Sequence, residues 1–131
     1  MLLIDTSVWV EFFRGNPPPG LRELLTDQLP EVATTEPIVM EVLAGATDDR
    51  AVRQLETLVN GLVLLPVDAA RDYHDAAAIY RAARRRGQTV RRLVDCLIAA
   101  VAIRQDATVI HRDRDFEVIS AVAPLRARFF G

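Results

Sequence analysis

Short apolar runs set apart by helix-sized segments constrain this chain more than any other feature. Leu2–Ile4, Glu31–Thr34, Leu62–Val67 and Thr108–Ile110 read as strands, the third of them buried, with a short final strand near Val118. The stretches between them have recognisable helix ends. Asp5-Thr6-Ser7 caps a helix stopped at Gly15. After the rigid Asn16-Pro17-Pro18-Pro19-Gly20 connector, a short helix runs from Leu21 to about Leu29. Thr35 caps a helix that carries Pro37 in its first turn and ends near Gly45, and Asp48 caps another to about Asn60-Gly61. Asp68 opens a long amphipathic helix through Arg86, closed by Gly87. A further helix spans about Arg92 to Gln105, and His111 to Asp115 reads as a polar turn. This alternation implies an α/β fold, a parallel central sheet of four to five short strands with helices on both faces. No repeat or linker divides the 131 residues, so a single domain over residues 1–131 is expected. In such sheets ligands gather at the carboxyl ends of the strands, and the functional residues are sought there.

Composition narrows the chemistry. All sixteen basic residues are Arg, and there is no Lys. That excludes a Walker A phosphate loop, a Schiff-base enzyme, and the lysine that phosphoaspartate phosphatases set against a phosphoryl group. With half the residues hydrophobic and 26% charged, the chain is not a disordered one. A lone Cys96 cannot form an internal disulfide, which suits a reducing cytoplasm. The longest apolar run, Cys96 to Ile103, is far too short for a membrane span, and no signal peptide is visible before Asp5.

Isolated acids in apolar surroundings are the main functional signal. Ten of the eleven residues from Leu93 to Ile103 are apolar, and the exception is Asp95. A helix apolar on all sides is buried, and an unpaired buried carboxylate costs several kcal/mol. Something must compensate Asp95: either the dipole of the helix whose first turn it occupies or a metal ion. Glu41 is the only polar residue from Ile38 to Ala44 and lies past the first turn of its helix, so an ion pair with an arginine is the alternative to a metal. Asp5 ends the first strand and also reads as an N-cap. Asp113 ends the fourth and also reads as a solvated loop acid. Strand ends and the early turns of helices share one rim of a parallel α/β sheet, and four carboxylates there would repel strongly without a cation. Oxygen donors alone suit Mg²⁺ or Mn²⁺ rather than zinc.

Other polar residues are weaker candidates. Ser7 is placed to hold the Asp5 carboxylate or a metal-associated water, or is a plain first-turn hydroxyl. Asp115 offers a ligand for a second metal or a solvated loop position. Glu11 pairs with Arg14 on a polar helix face. His74 belongs to an amphipathic helix, and His111 is at most a rim contact.

Four blocks resemble the motifs of PIN-domain nucleases, most closely the VapC-type toxins of bacterial toxin-antitoxin pairs. They are Leu3-Ile4-Asp5-Thr6-Ser7-Val8-Trp9, Met40-Glu41-Val42-Leu43-Ala44-Gly45, Val94-Asp95-Cys96-Leu97-Ile98-Ala99-Ala100 and Arg112-Asp113-Arg114-Asp115-Phe116. Order and spacing agree from residue 3 to residue 116. The resemblance implies Asp5, Glu41, Asp95 and Asp113 as an acidic metal site, a Mg²⁺- or Mn²⁺-dependent endoribonuclease, frequent dimerisation and a small antitoxin partner. His111-Arg112 departs from the Thr-Asn or Thr-His pair frequent before the fourth acid.

The chemistry is consistent with the residues themselves. A divalent ion held by carboxylates activates water against a phosphodiester with no covalent nucleophile, Asp5, Glu41 and Asp95 holding the main ion and Asp113 a second ion or the attacking water. Arg81, Arg84, Arg85, Arg86, Arg91 and Arg92 place +6 within twelve residues free of acids, leaving the other 119 at −8. Such a strip, Arg84, Arg85, Arg86, Arg91 and Arg92 above all, suits phosphate contacts; a solvated helix end is the plainer reading. A haloacid-dehalogenase-like phosphatase needs an acid where Ser7 stands and a lysine. A catalytically silent binding module of the same fold would lack one of the four acids.

Overall fold

A computed structural model describes residues 1–131. Its five strands are β1 (Leu2–Ile4), β2 (Val32–Thr34), β3 (Val63–Leu64), β4 (Thr108–His111) and β5 (Arg126–Phe129). All neighbours pair in parallel in the order β3-β2-β1-β4-β5. The three central strands are buried on both faces, as their unbroken apolar runs require: Leu3, Ile4, Val32, Ala33, Val109 and Ile110 are fully enclosed.

Seven helices cover the sheet: α1 (Thr6–Phe13), α2 (Leu21–Asp27), α3 (Glu36–Ala44), α4 (Asp49–Asn60), α5 (Asp72–Arg85), α6 (Leu93–Arg104) and α7 (Arg114–Ser120). Connections from β1 to β3 step one way across the sheet and those from β3 to β5 step back. Right-handed crossovers therefore put α1–α4 on one face and α5–α7 on the other. Packing agrees: α3 touches α1 and α4, while α5, α6 and α7 touch one another. The reversal lies between β1 and β4, whose chains leave in opposite directions and open a crevice at their carboxyl ends. No helix is long and apolar enough to cross a membrane.

The departures from the sequence reading lie toward the edges of the sheet. The stretch Leu62–Val67 is not a buried strand: only Val63 and Leu64 join the sheet, at its edge, and Leu64 is exposed. Pro66 has no N–H to extend the ladder. The long helix begins at Asp72 rather than Asp68, because Asp68 sits in a turn whose N–H donates to the Asp72 carboxylate at 2.7 Å. Asp72 is fully buried against Arg104, which donates to it from Nε and Nη2, both at 2.9 Å. Val118 lies in α7, not in a strand. Asp113 caps that helix, which buries Phe116 and Ile119 at helical spacing. The last strand is the arginine-bearing β5, an exposed edge whose Arg-Ala-Arg-Phe sequence carries no apolar run to reveal it.

Candidate metal centre

The crevice between β1 and β4 gathers the acids. Asp5 follows β1, and its N–H donates to the Ile110 carbonyl of β4 at 2.9 Å, so the two strand ends are tied together. The Asp5 side chain does two things at once. Oδ2 caps α1, accepting from the Ser7 N–H at 3.0 Å and the Ser7 hydroxyl at 2.6 Å, whereas Oδ1 is buried without a hydrogen-bond partner. Ser7 Oγ also accepts from the Arg112 N–H at 2.9 Å, so this hydroxyl joins the first acid to the loop that carries Asp113.

Asp95 enters from the first turn of α6 and is almost wholly buried. No side chain caps the Arg92 entry to α6, and Asp95 is the acid of its first turn, where the helix dipole favours it without giving it a hydrogen bond. Asp115 of α7 accepts the N–H groups of Arg91 and Arg92 at 3.1 and 3.0 Å. Asp95 Oδ2 is instead a second buried oxygen without a partner. Asp95, Asp113 and Asp115 each offer a carboxylate oxygen within 4.8 Å of the others. Asp113 Oδ1 accepts from the Asp115 N–H at 2.9 Å and from Arg91 Nη2 at 3.1 Å.

Glu41 flanks this cluster on α3. Its Oε1 accepts from the Thr6 hydroxyl at 2.9 Å and its Oε2 pairs with Arg92, so the ion-pair alternative to a metal describes the arrangement seen. Glu11 pairs with Arg14 as its helix face suggested. An apolar groove bordered by Val10, Phe13, Val42, Leu55 and Leu58 opens between α1, α3 and α4 beside Glu41.

Crowding perturbs the acids strongly. Burial, followed by the hydrogen bond to Asp115 and the fields of Asp5 and Asp113, pushes the Asp95 carboxyl up to about 9. Burial also raises Asp5, with Asp113 adding to it, against the Ser7 hydrogen bonds that lower it. Asp115 goes the other way: burial opposes its ionisation, but the Arg91 and Arg92 N–H groups, the Asp95 carboxyl and the Arg91 guanidinium hold it below the usual range. Burial pushes the Cys96 thiol up to about 12, which leaves it inert beside Asp95.

The remaining candidates divide by location. His111 is not a rim ligand but a buried strand residue packed against Phe116 and Phe129, its Nδ1 accepting from the Asp113 N–H at 3.2 Å. Burial lowers its pKa and favours the neutral ring that this contact needs. Arg112 is exposed at the rim. Arg84, Arg85 and Arg86 are exposed where α5 ends; Arg84 lies over Tyr80, and Arg86 Nη1 donates to the Ala121 carbonyl at 2.9 Å. The sequence offered no signal for Thr6 as the partner of Glu41, since the two lie 35 residues apart.

Comparison with known proteins agrees with this fold. The PIN domain family matches residues 2–122. Ribonuclease VapC11 of Mycobacterium tuberculosis is 53% identical over 133 residues, covering 99% of each chain. A DNA-bound VapBC structure from Salmonella typhimurium superposes with a TM-score of 0.78 at 21% identity, covering 99% of this chain and 98% of the other. VapBC2 from Rickettsia felis, solved with a promoter DNA fragment, gives 0.79 at 16% identity over 99% and 98%. At these identities the two structures speak for the fold.

Proposed function

The chain belongs to the PIN-domain family, and from that membership and the acid rim we propose that it is a metal-dependent endoribonuclease, the toxin of a type II toxin-antitoxin pair. The observation that carries the reading is the pair of buried carboxylate oxygens without partners, Asp5 Oδ1 and Asp95 Oδ2, facing a crevice at the switch point of the sheet. Buried polar atoms are almost always satisfied, and two unsatisfied carboxyl oxygens on neighbouring acids call for a partner, which a cation supplies once the acids ionise. The donor set is all carboxylate, which fits Mg²⁺ or Mn²⁺. Asp5, Asp95, Asp113 and Glu41 are its ligands in this reading. When bound, the ion supplies Lewis acidity that activates water and stabilises charge on the scissile phosphate.

The protein's own groups do the rest. Ser7 fixes the Asp5 carboxylate and the Arg112 backbone in one hydrogen-bonded unit. Asp115 pins the backbone that presents Asp95, and it also offers a carboxylate oxygen beside those of Asp95 and Asp113, so it supports the site in both ways. The crowded acids hold a proton on Asp95 that must leave before the site can take a cation. Arg84, Arg85 and Arg86 give the RNA backbone a cationic approach to an otherwise acidic crevice, and their contacts orient RNA without reading its sequence. The partners are RNA as substrate and a small antitoxin protein, with assembly as a homodimer or a toxin-antitoxin hetero-oligomer in the cytoplasm.

The test is digestion of purified cellular RNA with Mg²⁺, Mn²⁺ or EDTA, alongside thermal melts under the same conditions. Cleavage that needs the ion, with a melting temperature raised by it, is expected. Cleavage that survives EDTA, or a melt indifferent to metal, refutes the site.

A further inference from the structure

Two arginines at the entry to α6 hold the very acids that a metal would need. Arg92 pairs with Glu41 Oε2, and Arg91 donates from Nη2 to Asp113 Oδ1 at 3.1 Å and from Nε to Asp115 Oδ1 at 3.5 Å. Asp5 and Asp95, deeper in the crevice, have no such guanidinium and keep the two unpartnered oxygens. The acid rim is thus split into an outer part paired with arginines and an inner part that is not.

The outer pairs are built to exchange. Both Glu41 oxygens are engaged, one by the Thr6 hydroxyl and one by Arg92, so an ion that binds Glu41 must displace a partner. Arg92 is the easier to displace, because its side chain is 47% exposed while Thr6 is buried. Arg91 is 69% exposed against 12% for Asp113. Their backbones stay fixed meanwhile, since Asp115 holds both N–H groups. A guanidinium open to water on a pinned backbone leaves its partner at little cost, as exposed ion pairs are weak.

We propose that Arg91 and Arg92 are resident cations of the acid rim, which occupy Asp113 and Glu41 in the metal-free protein, yield them to the divalent ion, and then turn outward to bind phosphate of the RNA. The inference rests on the metal-site reading above. It gives each arginine opposite effects on two ligands: competition with the metal and assistance to the substrate. It also extends in sequence the exposed cations Arg84, Arg85 and Arg86 toward the acids.

Titration of the full chain with Mn²⁺, with free ion read by electron paramagnetic resonance, tests the first effect. Where a closed pair is populated nine-tenths of the time, removing it tightens apparent metal binding about ten-fold. Arg92→Ala and Arg91→Ala should each tighten Mn²⁺ binding on that scale. Arg112→Ala removes the same charge from the same rim without breaking an ion pair and should stay close to wild type. In cleavage assays at saturating Mn²⁺, Arg92→Ala should raise KM for RNA several-fold with a smaller loss in kcat. A merely structural arginine would weaken both ligands together when removed.

Unchanged Mn²⁺ affinity in Arg92→Ala and Arg91→Ala overturns the proposal, as does equal tightening by Arg112→Ala, which would reduce the effect to the general field. If Arg92→Ala does not fold, Arg92→Lys keeps the charge, loses the planar fork, and should show the same shift at smaller amplitude; no shift there overturns it equally. Wild type taking up Mn²⁺ that Asp5→Asn loses, with the arginine variants unmoved, refutes the resident cations alone. Wild type that takes up no Mn²⁺ refutes the metal site as well.

Discussion

Asp95→Asn separates the cost of the acid cluster from its use. In the folded protein Asp95 stays protonated up to about pH 9, against an ordinary value of 3.8, because burial and then Asp115, Asp5 and Asp113 oppose its charge. The unfolded chain releases that proton near pH 4. Between those two values the folded state binds one proton more than the unfolded state, so stability falls as pH rises, by about 1.4 kcal/mol per unit. From pH 4 to 7 the loss sums to about 4 kcal/mol as an order of magnitude. This sum is insensitive to how far above neutrality the folded value lies, since the proton remains on Asp95 at pH 7 in either case.

Asn has nearly the shape of the protonated acid, and its amide N–H donates toward Asp115 as the carboxyl proton does. In EDTA the variant should therefore escape the pH-dependent loss and gain on wild type by about 3 kcal/mol between pH 5 and pH 7. Divalent ion reverses the order: it binds the folded wild type and stabilises it by RT ln(1 + [L]/Kd), while the variant has lost a ligand. Urea melts of both proteins at pH 5 and pH 7, with EDTA and with Mg²⁺, read all four quantities. Equal differences between the proteins at the two pH values in EDTA would refute the buried proton. A Mg²⁺ effect of the same size in both would refute Asp95 as a ligand.

Three further outcomes follow from other parts of the structure. Replacing Arg84 and Arg85 by Ala should weaken RNA binding across sequences and flatten its salt dependence by up to about two units of slope, measured by anisotropy between low and moderate salt. Ser7→Ala removes the hydroxyl that holds both Asp5 and the Arg112 backbone and should lower metal affinity or activity by about 10- to 100-fold with the fold intact, checked by Mn²⁺ titration and circular dichroism. Asp72→Ala leaves the Arg104 guanidinium without its buried carboxylate and should cost about 3 kcal/mol in urea melts, while the folded fraction retains its RNA cleavage.

The central part of this fold was legible because burial on both faces leaves a plain mark. β1, β2 and β4 are apolar at their fully enclosed positions, and the enclosed stretch of α6 from Asp95 to Ala102 is apolar apart from the acid it delivers. The same logic isolated Asp95 and Glu41, since a carboxylate in such surroundings needs a reason. Edge elements leave no such mark. β5 presents Arg126 and Arg128 to solvent and takes its place from pairing with β4, a long-range fact that no local window contains. Asp115 was ambiguous for a related reason: its carboxylate is spent on backbone groups more than twenty residues away. The arginine strip was legible as charge but not as geometry. Arg84 and Arg85 look outward from α5, while Arg91 and Arg92, only a few residues on, turn back onto acids of α3 and of α7 with its cap.

That turn back explains how the chain itself compensates a cluster of carboxylates. A proton neutralises Asp95, Ser7 satisfies half of Asp5, and Arg91 and Arg92 neutralise the outer acids. Each device is individually reversible: the proton leaves to solvent, the guanidiniums swing on a fixed backbone, and Ser7 holds only one of the two Asp5 oxygens. What stays unsatisfied, Asp5 Oδ1 and Asp95 Oδ2, is buried and has no side-chain or backbone partner. Stability is thus given up at the position where a cation recovers it, which ties folding, metal affinity and activity to the same few oxygens and makes each measurable through the others.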